Sequence, residues 1–318
     1  MGRVLAFPGQ GAQSVGMGVD VADAFPAAAA VFTTASEVLG LDLLKLCREG
    51  PADALVRTDI QQPAILAVGV AITEALRDAD ALGEEDLVAT FGLSLGEFSA
   101  LVAGGALTLE DALRLVRERG LGMQDASEAV PSGMLALRCE VDVAETVCRE
   151  AREATGGVCS VANLNAPGQV VISGDMPSIE AAEGIAKTHK VRRPTRLPVA
   201  GAFHSALMQP GADRLAAALD QVEIAVPRVP VISNVTAAPT TDPAVIRANL
   251  IAQVTSPVRF VECVGAARAL GATEAVEPGP GRVLAGLMRR IDGDLPVHPA
   301  HDLAAVQERI AASQGETA

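Results

Sequence analysis

One stretch constrains this chain more than any other: Gly92-Leu93-Ser94-Leu95-Gly96-Glu97. An apolar segment, Leu87 to Phe91, precedes it, and a helix-like run, Glu97 to Val102, follows it. A serine between two glycines at a strand-to-helix junction is the context of a nucleophile elbow. The glycines have a steric reason, because bulky neighbours would clash on so tight a turn. The serine Oγ is then exposed at a helix N-terminus, where free N–H groups and the helix dipole stabilise developing negative charge. An ordinary glycine-rich βα turn is the competing reading. With the strand and helix around the motif, the two stand level at this point.

Building a core around that turn falls to small and branched aliphatics. The 318 residues are 49% hydrophobic but only 2% aromatic, with no Trp or Tyr, so Ala, Val and Leu must fill the interior. That length suits one large domain or a large and a small one. No apolar run approaches the length of a membrane span, and the N-terminus (Met1 to Pro8) reads as a short strand rather than a signal peptide. Cys47, Cys139, Cys148, Cys159 and Cys263 are odd in number and form no C-x-x-C pair, which predicts buried thiols in a reducing cytoplasm and no zinc site. A net charge of −14 argues against nucleic-acid or anionic-membrane partners.

In chain order, Arg3 to Phe7 predicts a strand running into Phe7-Pro8-Gly9-Gln10-Gly11-Ala12-Gln13, where two glycines free the Gln10 backbone for close approach. Val19 to Leu44 reads as helical. Asp59-Ile60-Gln61-Gln62-Pro63 opens a further helix, with Pro63 in its first turn, that packs beside the elbow. Thr108-Leu109-Glu110-Asp111 caps the next helix, whose stripe is Leu113, Val116 and Met123. Arg119 falls at the edge of that stripe. It is either a snorkelling surface arginine or a guanidinium on a pocket wall that grips a carboxylate.

From Met134 to Val199 the pattern reads strand (Met134 to Val141), helix (Val143 to Ala154), strand (Gly157 to Leu164), strand (Gln169 to Ser173), helix (Ile179 to His189) and an extended Arg192 to Val199. This βαββαβ order is ferredoxin-like. It predicts a small subdomain, residues 128–200, inserted in a larger α/β unit made of residues 1–127 and 201–318. Lys187, Lys190, Arg192, Arg193 and Arg196 form its dense basic cluster, either a solvated face or a docking patch.

The four histidines are His189, His204, His298 and His301. Only His204 sits between small and apolar residues, in Gly201-Ala202-Phe203-His204-Ser205-Ala206-Leu207-Met208, where an imidazole can meet a serine. A lone buried histidine is more often structural; the elbow serine raises the catalytic alternative. Val229 to Val235 and Thr273 to Val276 read as strands, and Val245 to Gln253 and Val283 to Ile291 as helices. After about Leu303 a terminal helix fades into a disordered tail.

These motifs, in this order, resemble the malonyl-CoA:acyl-carrier-protein transacylase family, the discrete acyltransferases of fatty-acid and polyketide synthesis. The resemblance runs through Phe7-Pro8-Gly9-Gln10-Gly11-Ala12-Gln13, Gln62-Pro63-Ala64, the G-x-S-L-G-E elbow and Arg119-Gly120. It continues through Asn165-Ala166-Pro167-Gly168-Gln169, Phe203-His204-Ser205-Ala206-Leu207-Met208 and Gly279-Pro280-Gly281, nearly the whole chain. It implies an α/β-hydrolase-like core with the inserted ferredoxin-like subdomain. Ser94 is then the nucleophile and His204 the general base, its ring oriented by the backbone carbonyl of Gln253. The N–H groups of Gln10 and Leu95 form the oxyanion hole, and Arg119 holds the substrate's free carboxylate.

Two positions stand out against the family. Leu93 occupies the place before the nucleophile that is usually histidine, and it makes none of histidine's polar contacts. Phe203 before His204 resembles malonyl-preferring polyketide acyltransferases, where that ring narrows the space beside the α-carbon. The resemblance therefore implies malonyl-CoA and an acyl carrier protein as partners, an unbranched acyl unit, and no cofactor, coenzyme A being a substrate. A cytoplasmic monomer is expected. An acyl-thioester hydrolase, a transferase for another acyl group and a non-catalytic carrier-binding module are the alternatives; the last has no use for Ser94, His204 and Arg119 together.

Overall fold

Two sheets organise the chain in the computed structural model, which describes residues 2–316. In chain order the strands are β1 (Arg3–Phe7), β2 (Leu87–Gly92), β3 (Ser132–Leu137), β4 (Cys159–Ala166) and β5 (Gln169–Asp175). They continue with β6 (Thr195–Arg196), β7 (Val231–Ile232), β8 (Pro239–Thr240), β9 (Glu274–Pro278) and β10 (Val297–Ala300). The larger sheet runs β10-β9-β1-β2-β7-β8, parallel except at the β7/β8 hairpin. Helices pack on both of its faces, which makes an α/β fold with a mixed sheet.

β1 lies at the centre and is buried throughout, as a strand covered on both faces must be. Its alternation divides the interior: Leu5 and Phe7 join one apolar cluster, Val4 and Ala6 the other. The parallel register sets Phe7 opposite Gly92, so the turns after β1 and β2 leave the sheet at the same edge. That edge, the carboxyl end of parallel strands, is where open α/β sheets bind ligands.

The smaller sheet runs β4-β5-β3-β6, all antiparallel, in the βαββαβ order expected, with helices Val141–Thr155 and Met176–Thr188 as its crossovers. Leu135, Leu137, Val170 and Ile172 point into its own helices. Met134 and Val171, on the opposite face, pack into the large core, so the sheet is bound to the rest of the molecule by that face.

Several elements differ from the sequence reading. Val19 to Leu44 is three helices, Val19–Ala24, Pro26–Leu39 and Leu43–Glu49. Pro26 starts the second, Gly40 ends it at φ 66, and Asp42 caps the third by accepting from Lys45 N–H. Pro63 sits inside the Thr58–Asp78 helix rather than in its first turn, because the helix begins one residue before Asp59. The extended Arg192 to Val199 pairs only at Thr195–Arg196, since Pro194 and Pro198 lack the N–H a ladder needs. β8, β10 and the Phe260–Ala269 helix went unread. The terminal helix spans Leu303–Glu316, and a tail beyond it lies outside the described residues.

All five cysteines are free; four are buried and Cys139 is half-buried. No single helix among the described residues is long and apolar enough to cross a membrane, although the bent pair Pro26–Leu39 and Leu43–Glu49 passes by length and composition.

Candidate active site

The elbow forms as its glycines require. A Cβ on Gly92 would stand 2.1 Å from the Gly96 carbonyl carbon, and one on Gly96 would stand 2.1 Å from the Phe7 oxygen. Ser94 between them has φ 53, a left-handed conformation that a non-glycine residue holds only under constraint from its surroundings. Asn234, past the end of β7 and fully buried, supplies that constraint. Its Oδ1 accepts from Ser94 N–H at 2.7 Å while its Nδ2 donates to the Gly92 carbonyl at 2.7 Å. One side-chain amide thus bridges both sides of the turn. The helix Gly96–Ala103 then starts directly behind the serine.

His204 meets the serine as the sequence suggested. Its Nε2 lies 2.8 Å from Ser94 Oγ, and its Nδ1 lies 2.8 Å from the Gln253 carbonyl oxygen. A carbonyl only accepts, so Nδ1 carries the proton and Nε2 is left as an acceptor for the serine hydroxyl. His204 also has a left-handed backbone, φ 60, and is 3% exposed. Burial, and then the charge of Arg119, push its pKa down to about 4 against the opposing pull of the Gln253 carbonyl. The ring is therefore neutral, and able to take a proton, throughout the neutral range.

Arg119 is fully buried, not at the rim of its helix, Leu109–Ala129. Gly120 makes this possible: a Cβ there would stand 2.7 Å from the Thr58 carbonyl, so the two helices close tightly. The Arg119 Nη1 donates to Gln62 Oε1 at 2.7 Å, and Nη2 donates to Ser94 Oγ at 2.9 Å and Gln253 Oε1 at 3.1 Å. Its Nε has no partner, and the guanidinium carbon lies 5.8 Å from the Phe98 ring centroid. Desolvation lowers its pKa to about 10, with Glu97 opposing. The buried Glu97 carboxylate accepts from Asn234 N–H at 3.0 Å and Gln253 Nε2 at 2.7 Å. Burial raises its pKa, and the hydrogen bonds together with Arg119 work the other way.

A groove of about 490 Å³ opens over Ser94 between the sheet edge and the small sheet, lined by Gln10, Leu93, Met134, Asn163, Phe203 and His204 among others. Neither Gln10 N–H nor Leu95 N–H has an acceptor among the described residues. The Gln10 side chain is tied to Gln61. Phe203 is 7% exposed, and its carbonyl accepts from Ser173 Oγ. A larger space of about 710 Å³ reaches His204 from the side of Arg149 and Thr255 but does not touch Ser94.

Of the basic cluster, Lys187 and Arg196 are engaged with Glu183, at 3.6 and 3.0 Å, and neither lines the Ser94 groove. Lys190, Arg192 and Arg193 have no side-chain partner among the described residues. Sequence reasoning gave no role to Gln62, Glu97 and Asn234. The first two stood inside quoted motifs, and their burial was the missing information. Asn234 follows a two-residue strand and carries no local signal.

A mixed, largely parallel α/β sheet that sets a strained serine against a neutral histidine, with an arginine on the same oxygen, is the arrangement of an enzyme of acyl transfer. The acyl transferase domain family matches residues 4–290, and the chain belongs to that family. It is 42% identical over 287 residues to the malonyl CoA-acyl carrier protein transacylase of Bacillus subtilis, covering 90% of this chain and 89% of that protein. Among solved structures, an acyl carrier protein S-malonyltransferase of Vibrio cholerae superposes with a TM-score of 0.90 at 41% identity, covering 97% and 99% of the two chains. A malonyl-transacylase in complex with its type II polyketide synthase acyl carrier protein gives 0.92 at 37% identity, covering 98% and 100%.

Proposed function

We propose that this chain moves a malonyl group from coenzyme A to the phosphopantetheine thiol of an acyl carrier protein through an ester on Ser94. The observation that carries the reading is the hydroxyl of Ser94 held at once by His204 Nε2 (2.8 Å) and Arg119 Nη2 (2.9 Å). Ser94 Oγ attacks the thioester carbonyl as its proton passes to His204 Nε2. The Gln10 and Leu95 N–H groups, which have no acceptor among the described residues, receive the oxyanion. When the tetrahedral intermediate collapses the C–S bond breaks, and the coenzyme A sulfur takes the proton from His204. The carrier thiol then enters by the same steps in reverse, giving up its proton to His204 and releasing Ser94.

One thioester is consumed and another is formed, so the overall exchange is close to isoenergetic and the cycle calls on no metal, nucleotide hydrolysis or redox cofactor. Arg119, with an unpaired Nε and a nitrogen already on Ser94 Oγ, receives the malonyl carboxylate. Leu93 and Phe203 wall the acyl space and favour an unbranched unit. Of the basic cluster, Lys190 and Arg192, which have no side-chain partner among the described residues, dock the acidic carrier, which the enzyme's own net charge would otherwise repel. In fold terms the large sheet is an α/β-hydrolase-like core, residues 1–127 and 201–318, and residues 128–200 form a ferredoxin-like insert. The protein acts as a cytoplasmic monomer.

Incubation with malonyl-CoA, with and without holo-carrier, tests the reading. Malonyl-carrier formed at the expense of malonyl-CoA supports transfer. Release of free malonate at the same rate without carrier would instead make the protein a thioester hydrolase.

A further inference from the structure

Beyond the Ser94 groove, a second cavity of about 390 Å³ opens at the far end of the small sheet. Three arginines line it: Arg138 just past β3, Arg193 just before β6, and Arg290 in the last turn of the Val283–Ile291 helix. No acidic side chain lines it. Glu140 comes near, 3.5 Å from where a Cβ on Gly168 would stand, but pairs with none of the three. Arg138 and Arg193 have no side-chain partner among the described residues. Arg290 is held in place, its Nη1 on Gln169 Oε1 and its Nη2 on the Pro167 carbonyl at 3.1 Å. The Asn165 to Gln169 motif therefore has a task, which is to aim Arg290. Like charges converging in a protein of net charge −14 repel one another unless an anion joins them.

Strand register relates this cavity to Ser94. Met134 and Val171 line the Ser94 groove, and Ala136 and Gln169, two residues along on β3 and β5, line the arginine cavity together with Thr195 of β6. Alternation puts both sets on one face of the sheet. Ala136 pairs with Thr195, and Arg138 and Arg193 each lie two residues beyond that pair, where both line the cavity. From Met134 to Arg138 the chain advances about 13 Å. With the reach of the arginine side chains, that is a span an extended pantetheine arm covers.

We infer that Arg138, Arg193 and Arg290 bind the phosphate that ends the pantetheine arm, while its thiol end lies at Ser94. Coenzyme A and a holo-carrier share this phosphate, so one site serves both half-reactions. The inference rests on the transferase reading above. Guanidinium groups match phosphate oxygens with paired, charge-assisted hydrogen bonds, and Arg290 is already oriented for them. The basic run and the final helix, separate in sequence, thus meet at one site. Lys190 and Arg192 are left outside it for the carrier's acidic surface.

The test compares malonyl-pantetheine, malonyl-4′-phosphopantetheine, malonyl-dephospho-CoA and malonyl-CoA as donors, with wild type and with Arg138→Gln, Arg193→Gln and Arg290→Gln. Wild type should prefer the phosphorylated donors by about tenfold or more in kcat/KM. Each variant should lose much of that preference through KM, keep its rate with malonyl-pantetheine, and weaken for holo-carrier by a similar factor. Equal losses with malonyl-pantetheine would make the arginines structural and overturn the site. A loss that vanishes with malonyl-dephospho-CoA would assign them to the ribose phosphate, and a loss confined to holo-carrier would assign them to the carrier surface; either overturns the inference. Wild type that forms an acyl-enzyme from malonyl-pantetheine as readily as from the phosphorylated donors sinks this site alone. Wild type that forms none from any donor sinks the transferase reading with it.

Discussion

Arg119 Nη2 donates to Ser94 Oγ across 2.9 Å from a side chain with no solvent exposure. The serine oxygen therefore accepts from a buried cation while its own hydrogen points to His204 Nε2, 2.8 Å away. The cation does two things. It favours negative charge on Oγ, and it depresses the histidine's proton affinity. The second effect keeps His204 in its basic form.

Arg119→Ala should cost about 1.5–3 kcal/mol of malonyl-CoA binding, the scale of a lost hydrogen bond to a charged partner. Acetyl-CoA, which has no carboxylate, should lose only the part that acts through Ser94 Oγ. The measurement is kcat/KM for both donors, and equal losses would confine Arg119 to its contact with Ser94 and remove it from carboxylate binding.

The acylation rate should stay level from neutral pH down to near the His204 pKa of about 4, rather than bending at the ordinary 6.5. Replacing Arg119 with methionine removes the nearby charge and should move that acid limb upward. Linkage gives a matching stability effect. Because the folded value is depressed, the contribution is fully present above about 6.5 and is lost as pH falls from there toward about 4. Rapid-quench acylation and denaturant melts across that window check both statements; a rate limb centred at 6.5 would contradict them.

Asn234→Ala should leave Ser94 N–H and the Gly92 carbonyl buried without partners, at about 1–3 kcal/mol for each group. A lower unfolding midpoint with a reduced kcat and a nearly unchanged KM is the expected pattern. Wild-type stability in this variant would mean that the elbow holds its shape without the bridge.

Phe203→Ser should widen the acyl space and raise the methylmalonyl-to-malonyl rate ratio, measured by competition between the two thioesters. The ring is 7% exposed and lines the Ser94 groove, so an unchanged ratio would remove it as a selectivity element.

What the sequence made legible follows from how local each signal is. The elbow declares itself because its glycines are sterically compelled within five residues, and the Thr108 cap because its partner, Asp111 N–H, is three residues on. His204 was legible by elimination among four histidines. Asn234 was not, since its bond to Ser94 spans 140 positions and exists only once β7 docks beside β2. Arg119 looked half-exposed because helical periodicity ignores what a glycine neighbour allows, and Gly120 draws the Thr58 helix over it. The short β6 and β7 were overextended because apolar content alone says nothing of prolines withholding ladder donors.

His204→Ala should slow both half-reactions by about a hundredfold or more, the usual scale for a lost general base. The central claim, a covalent malonyl ester on Ser94, is tested most directly by intact-mass spectrometry of the enzyme mixed with malonyl-CoA in the absence of carrier. The account predicts one malonyl adduct on wild type, discharged by holo-carrier, and none on a folded Ser94→Ala variant. A stable malonyl adduct on Ser94→Ala would contradict it.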